Sequence, residues 1–153
     1  MEKGSVYKIP GKAIRLSNSV KWLRNQKMQS YGLTSAQADA IMFILVQHKR
    51  KNVTASDLIS SLQLSQSTVA GIISRLELKG LITRSQDPND NRVSILVPTE
   101  KGMELDDVLK HNAAETEKIL LSGMTEAEME ELNRLLAKAL ENINRVREGS
   151  ADV

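Results

Sequence analysis

Cysteine is missing from this 153-residue chain, and histidine occurs only twice. Without a thiol there is no disulfide, no thiolate nucleophile, and no cysteine-based metal site or redox switch. The two histidines, His48 and His111, fall in separate helical stretches without metal-site spacing. His48 closes its stretch, where an imidazole suits the carbonyl-rich end of a helix. Aromatic residues make up 3% of the chain, so its core must be aliphatic, helped by six methionines. The longest apolar run, Ala40 to Val46, is far short of the ~20 residues that a membrane helix needs. The first residues lack the apolar core of a secretory signal, so the cytoplasm is the expected location. No G-x-S-x-G and no phosphate-cradling glycine loop occurs, which leaves an enzyme the least supported class. No cofactor and no metal is expected.

What is present is ordinary in amount and uneven in placement. Hydrophobic residues at 41% and charged residues at 26% describe one globular domain, or two closely packed ones. The net charge of +2 hides a gradient: residues 1–48 carry +5, residues 49–99 carry +3, and residues 100–153 carry −6. Such asymmetry favours a polyanion meeting one part of the molecule. Solubilising surface charge explains the same numbers equally well.

The most informative stretch is Thr54 to Val97. Thr54 and Asp57 have capping-box spacing ahead of Leu58, Ile59 and Leu62, which predicts a short helix. Gln63 and Leu64 form a tight connection, and Ser65 is a natural N-cap for a second helix. There Val69, Ile72, Ile73 and Leu76 repeat at i, i+3, i+4, i+7, one buried stripe. The opposite face carries Gln66, Ser67, Thr68, Ala70, Gly71, Ser74 and Arg75, small and hydrogen-bonding rather than charged. Gly71 costs about 1 kcal/mol relative to alanine in a helix interior. Two explanations stand: close approach of a ligand, or close packing on the preceding helix. Gly80 ends the helix. Strands are expected at Leu81–Arg84 and Val93–Val97, joined by the polar run Gln86 to Asn91, in which Pro88 prevents regular pairing. Helix, turn, helix and hairpin make a winged helix, with Arg84 and Arg92 flanking the loop.

Around this centre the chain is helical. After Pro10, Ile9, Ala13, Leu16, Val20 and Leu23 mark an amphipathic helix reaching about Ser30, ended by Tyr31 and Gly32. Val6, Tyr7 and Ile9 are expected to pack on a neighbour. Thr34 with Gln37 opens a helix to His48 whose apolar middle, Ala40 to Val46, makes it the most buried one. Lys49 to Asn52 is a basic turn, and Val53 adds a short strand to the wing sheet. Pro98 and Thr99 start one long helix, Glu100 to Leu121, carrying Met103, Val108, Leu109, Ile119 and Leu120, and Gly123 breaks the chain after it. Thr125 with Glu128 caps a last helix lined by Met129, Leu132, Leu136, Ala139 and Ile143 and widened by Leu135, Leu140 and Val146. That stripe is too broad for one hairpin. The tail after Arg147 is expected to fray.

The run Leu33 to Gln37, the helix-turn-helix, the segment Arg75 to Arg84, the wing Asp87 to Arg92 and the run Leu96 to Gly102 together resemble the MarR family of transcriptional regulators. The family's Asp-x-Arg wing is matched by Asp90 and Arg92, although Asn91 stands where a second arginine is frequent. The resemblance implies a mainly α fold with a small β-wing: a winged helix-turn-helix core (33–99) flanked by dimerisation helices (1–32 and 100–153), in an intertwined homodimer. It implies a DNA-binding regulator, a repressor on a near-palindromic operator of double-stranded DNA. In the recognition helix Gln66 suits adenine, Arg75 guanine or phosphate, and Ser67, Thr68 and Ser74 either. Ser65 caps it, Ala70 and Gly71 permit close approach, and Arg84, Asp90 and Arg92 serve the wing. The resemblance also implies a small aromatic or anionic effector, with Arg15, Trp22, Tyr31 and Met42 as its candidate pocket, although core packing accounts more simply for the last three. The competing class is a winged helix that docks another protein, but its outer face lacks the aromatic or large apolar anchors usual there.

Overall fold

Capping boxes at Thr34, Thr54 and Thr125 fix where three of the helices start, and the computed structural model, which describes residues 8–149, shows them formed. The expectations for Val6 and Tyr7, and for the tail from Ser150 onward, lie outside the described residues. Helix α1 (Lys8–Met28) begins two residues before Pro10, whose missing N–H costs nothing in a first turn. A 3-10 turn, Gln29–Tyr31, follows, and Gly32 closes it at φ 66°. Met28 is buried and Val20 and Leu23 are half-buried, but Ile9, Ala13 and Leu16 of the same stripe stand exposed. Thr34 and Gln37 form the reciprocal box that opens α2 (Ser35–Gln47). The Asn25 Oδ1 accepts the Ser35 N–H at 2.6 Å, and Arg24 pairs with Asp39, so polar links tie α1 to α2. Helix α2 buries Ala38, Ala40, Ile41, Ile44 and Leu45, more than any other helix described. The His48 Nδ1–H donates to the Ile44 carbonyl at 3.1 Å, the capping role its position predicts.

Next come β1 (Val53–Thr54), α3 (Ala55–Leu62), α4 (Gln66–Leu78), β2 (Ile82–Gln86) and β3 (Ser94–Pro98). The sheet is antiparallel in the order β1-β3-β2, with Val53 opposite Leu96 and Gln86 opposite Ser94. Both wing strands lie one residue later than expected at their starts. Leu81 belongs to the helix end: its N–H reaches the Leu76 carbonyl at 3.0 Å and that of Gly80 the Glu77 carbonyl at 2.9 Å. This is a Schellman motif, with Gly80 at φ 69°. Ile41, Ile44, Leu58, Val69, Leu76, Ile82 and Leu96 are almost wholly buried and form the core joining α2 to the winged helix.

The long helix expected after the wing is two helices, α5 (Glu100–Met103) and α6 (Asp106–Leu120), and Pro98 ends a strand instead of starting a helix. Long-range contacts cause the break. The Thr99 N–H donates to the Leu81 carbonyl at 3.0 Å and its hydroxyl to the Gly80 carbonyl at 2.6 Å. Gly102 lies so close that a Cβ there would stand 2.1 Å from the Leu81 oxygen. The first turn is thereby held against the end of α4, Leu105 closes it with a tight bond to Gly102, and α6 starts afresh at Asp106.

The chain forms two compact units, residues 8–116 and 117–149 of those described. In the second, the end of α6 turns through Gly123 (φ 82°) into the Thr125–Glu128 box and α7 (Glu126–Gly149). Glu148 and Gly149 remain helical rather than frayed, with Arg147 at the carbonyl-rich end. No residue described for α7 is buried, and Leu135, Leu136, Leu140, Ile143 and Val146 are all exposed. No helix among the described residues is long and apolar enough to cross a membrane.

Candidate nucleic-acid interface

The turn between α3 and α4 depends on Gln63, which adopts the left-handed conformation (φ 53°) and reverses the chain within two residues of Ser65. Ser65 then caps α4: its Oγ accepts the Thr68 N–H at 3.2 Å and is bonded to the Thr68 hydroxyl at 2.7 Å and the Ser67 hydroxyl at 3.2 Å. With Val69, Ile72, Ile73 and Leu76 buried, all the small and polar residues from Gln66 to Arg75 are exposed. Gly71 is among them. A Cβ there would meet no described atom within 4 Å, so Gly71 does not serve packing on the preceding helix.

The side chains of this face differ in how far they are committed. The hydroxyls of Ser65 and Thr68 are occupied with each other, whereas Gln66 and Arg75 make no side-chain hydrogen bond or ion pair among the described residues. Ser74 accepts from Arg84 Nη2 at 3.4 Å, and Arg84 Nε donates to Glu77 at 3.0 Å. Arg84 therefore joins β2 to the outer side of α4. That link has no local sequence signal, because Glu77 and Arg84 lie on either side of the Gly80 turn.

The wing tip is fastened by its own aspartates. Asp87 accepts the Asn89 N–H at 2.8 Å, and the Asp87 and Val93 N–H groups close the loop onto the Val93 and Asp90 carbonyls, each at 3.0 Å. Asp90 accepts the Arg92 N–H at 3.0 Å and grips its guanidinium through Nε at 3.1 Å and Nη2 at 3.2 Å. The guanidinium fork, and after it the backbone N–H, hold the Asp90 carboxyl below its ordinary pKa. The Arg92 side chain nonetheless remains 90% exposed, a cation aimed by its neighbour and still available. Arg84 and Arg92 both line a concave space of about 450 Å³ together with Thr54, Ser56 and Ile73. The result is a shallow-faced helix beside a stiffened wing that presents the exposed Arg92 guanidinium.

A model of the MarR family matches residues 33–94, from the start of α2 into β3. Over that stretch the chain is similar to the winged helix-turn-helix transcriptional regulators of the MarR family. It is 24% identical over 130 residues to the uncharacterized HTH-type transcriptional regulator YybA of Bacillus subtilis, covering 85% of each chain. It is 28% identical over 108 residues to the HTH-type transcriptional repressor NicR of Pseudomonas putida, covering 69% of this chain and 68% of that one. The structure of the S. aureus MepR–DNA complex superposes with a TM-score of 0.80 at 26% identity, covering 92% of this chain and 99% of that chain.

The four candidate effector residues have unlike surroundings. Met42 is half-buried against the core. Arg15 and Tyr31 are exposed, and Trp22 is 63% exposed, so core packing within one chain does not account for Trp22 or Tyr31. Among the described residues no group of three or more His, Cys, Asp or Glu could hold a metal ion. Two residues of the interface were not singled out in the sequence, Glu77 and Leu78. Leu78 could have been found by extending the outer stripe of α4 by one turn.

Proposed function

We propose that this protein binds double-stranded DNA sequence-specifically in the cytoplasm, as a homodimer on a near-palindromic operator, and acts as a repressor. The exposed face of α4, small and hydrogen-bonding beside the Arg92 wing, carries this reading. Helix α4 enters the major groove with its N-terminal end first and lies along it, where Gln66 and Arg75 are the uncommitted readers and Ser67, Thr68, Ala70, Gly71 and Ser74 allow close approach. The Ser65-capped start of α4 suits a phosphate. Arg92, oriented by Asp90, enters the adjacent minor groove, and Arg84 holds the wing to the helix. MepR, alike in fold, is bound to DNA in its structure. The name of NicR supports repression. Dimerisation falls to residues 1–32 and 100–153, whose helices α1 and α7 expose apolar side chains in the single chain.

Operator affinity measured against salt for Arg92 variants tests the reading. Arg92→Ala is expected to lower affinity with the melting temperature unchanged, and to reduce the salt slope by about one counterion if the side chain meets phosphate. Arg92→Lys restores part of the loss, because lysine lacks the planar fork. An unaltered affinity for Arg92→Ala removes the wing from the interface. A small aromatic or anionic effector near Arg15, Trp22, Tyr31 and Met42 completes the proposal. Trp22 is the only tryptophan, so titration with benzoate should quench its fluorescence and release DNA over the same concentrations. Quenching without release separates the pocket from regulation.

A further inference from the structure

On α4 the outermost stripe lies opposite the buried one. Ser67, Gly71, Ser74 and Leu78 follow one another at i, i+4, i+7 and i+11, all exposed, while Val69, Ile72, Ile73 and Leu76 face the core. The first three are small or bear only a hydroxyl. The fourth is a leucine with 87% of its surface exposed, the most exposed large hydrophobic residue among those described. Its charged neighbours are both turned back onto the protein: Glu77 is held by Arg84, and the Lys79 ammonium donates to the Gly32 carbonyl. At the end of the stripe the surface therefore presents a hydrocarbon where a phosphate contact would call for a cation. Ser67 and Leu78 are about 16 Å apart along the axis, so a helix laid in the groove spans at most about five base pairs at 3.4 Å each.

We propose that Leu78 is a specificity-determining residue that packs on the 5-methyl group of a thymine at the far end of each operator half-site. The inference rests on the DNA-binding reading above and adds a base preference to it. Thymine is the one base that offers a methyl group in the major groove, and an apolar side chain is the group that recognises it. The rest of the stripe is small enough to let the helix come this close.

The test uses the full-length protein and a duplex operator selected with it from random DNA. Each thymine is replaced in turn, symmetrically, by deoxyuridine, which removes only the methyl group, and competition binding is measured for the parent, Leu78→Ala and Leu78→Met. One replacement should cost the parent about fourfold per half-site. The same replacement should cost Leu78→Ala nothing, and Leu78→Met should keep most of the parent's response. Melting curves of the variants should match the parent's, because the side chain is exposed. The inference is overturned if the parent and Leu78→Ala respond alike at every thymine. It is overturned equally if Leu78→Ala keeps full affinity and instead loses a higher assembly, which would make Leu78 a protein contact. Failure of the parent to select any sequence would strike at the DNA-binding reading itself, a different result from selection without thymine dependence.

Discussion

Two glycines carry opposite consequences for the same substitution. At Gly71 an added Cβ meets open space on the outer face of α4, so Gly71→Ala should gain the helix propensity that glycine forgoes, about 1 kcal/mol. For a chain of this size that raises the melting temperature by roughly 2–4 °C. Operator affinity should fall in the same variant, because the methyl group stands where the groove approaches. A variant that is more stable and binds DNA undiminished would show that the approach is not close. At Gly102 the added Cβ would lie 2.1 Å from the Leu81 carbonyl oxygen, a backbone atom that cannot rotate away. Gly102→Ala should therefore destabilise by about 1–3 kcal/mol, read as an earlier thermal or urea transition. Asp57 supplies the pH dependence. Burial raises its pKa, but the Lys51 ammonium and the Thr54 hydrogen bonds outweigh burial and hold it below 3.8. A carboxylate lowered on folding stabilises fully above its unfolded pKa, and that contribution disappears as the pH falls through the folded value. Asp57→Ala should then melt lower than the parent at pH 7, and the two melting temperatures should converge as the pH falls through the folded pKa of Asp57.

At the scale of elements, the position of the wing relative to the recognition helix rests on Arg84, Glu77 and Ser74. The Arg84–Glu77 pair is about two-fifths exposed on both sides, so it contributes at most about 1 kcal/mol to stability. Its importance lies in orientation. Glu77→Ala should weaken operator binding although it removes a negative charge beside the polyanion. Tighter binding would mean instead that Glu77 restrains a cation acting on DNA directly. The elements themselves were legible wherever their cause is local. The boxes at Thr34, Thr54 and Thr125, the Ser65 cap and the α4 stripe are set by residues within one turn of each other, and all are found in the structure. The break between α5 and α6 was hidden because its cause is remote: Thr99 and Gly102 meet Gly80 and Leu81, some twenty residues earlier. The start of β2 shifted because Leu81 answers to the helix it ends, and that of β3 because the Val93 N–H turns back onto the Asp90 carbonyl. For Trp22 and Tyr31 the sequence favours core packing over a pocket, because aromatic side chains usually bury themselves, and their exposure depends on packing that the sequence does not display. The outward placement of the α1 stripe in a single chain is not visible in its periodicity.

For the whole molecule, the unpartnered surfaces decide what remains to be assembled. In the first unit α1 leaves Ile9, Ile14, Leu16 and Trp22 exposed, and in the second α7 leaves Leu135, Leu136, Leu140, Ile143 and Val146 exposed. Soluble monomers rarely carry apolar stripes of this extent. The proposed homodimer would cover such faces by two-fold symmetry, the same patch of each protomer serving the shared interface. The proposed near-palindromic operator requires the two recognition helices of such a dimer to lie about one helical turn of DNA apart, roughly 34 Å. On this view dimerisation is what makes the weak reading by one α4 tight. Linking two modest half-site contacts raises affinity by about 10²- to 10⁴-fold without any new contact to DNA. Leu140→Asp combined with Ile143→Asp places two charges in the α7 stripe, far in sequence from every proposed DNA contact. By sedimentation the parent should be a dimer and the double variant a monomer, with operator affinity reduced by that factor. At low salt the monomer should retain weak binding to a single half-site duplex, because its winged helix is intact. A double variant that sediments as a monomer yet holds the full operator as tightly as the parent would show that one protomer reads the site alone. In that case the exposed stripe of α7 serves some purpose other than bringing two recognition helices together.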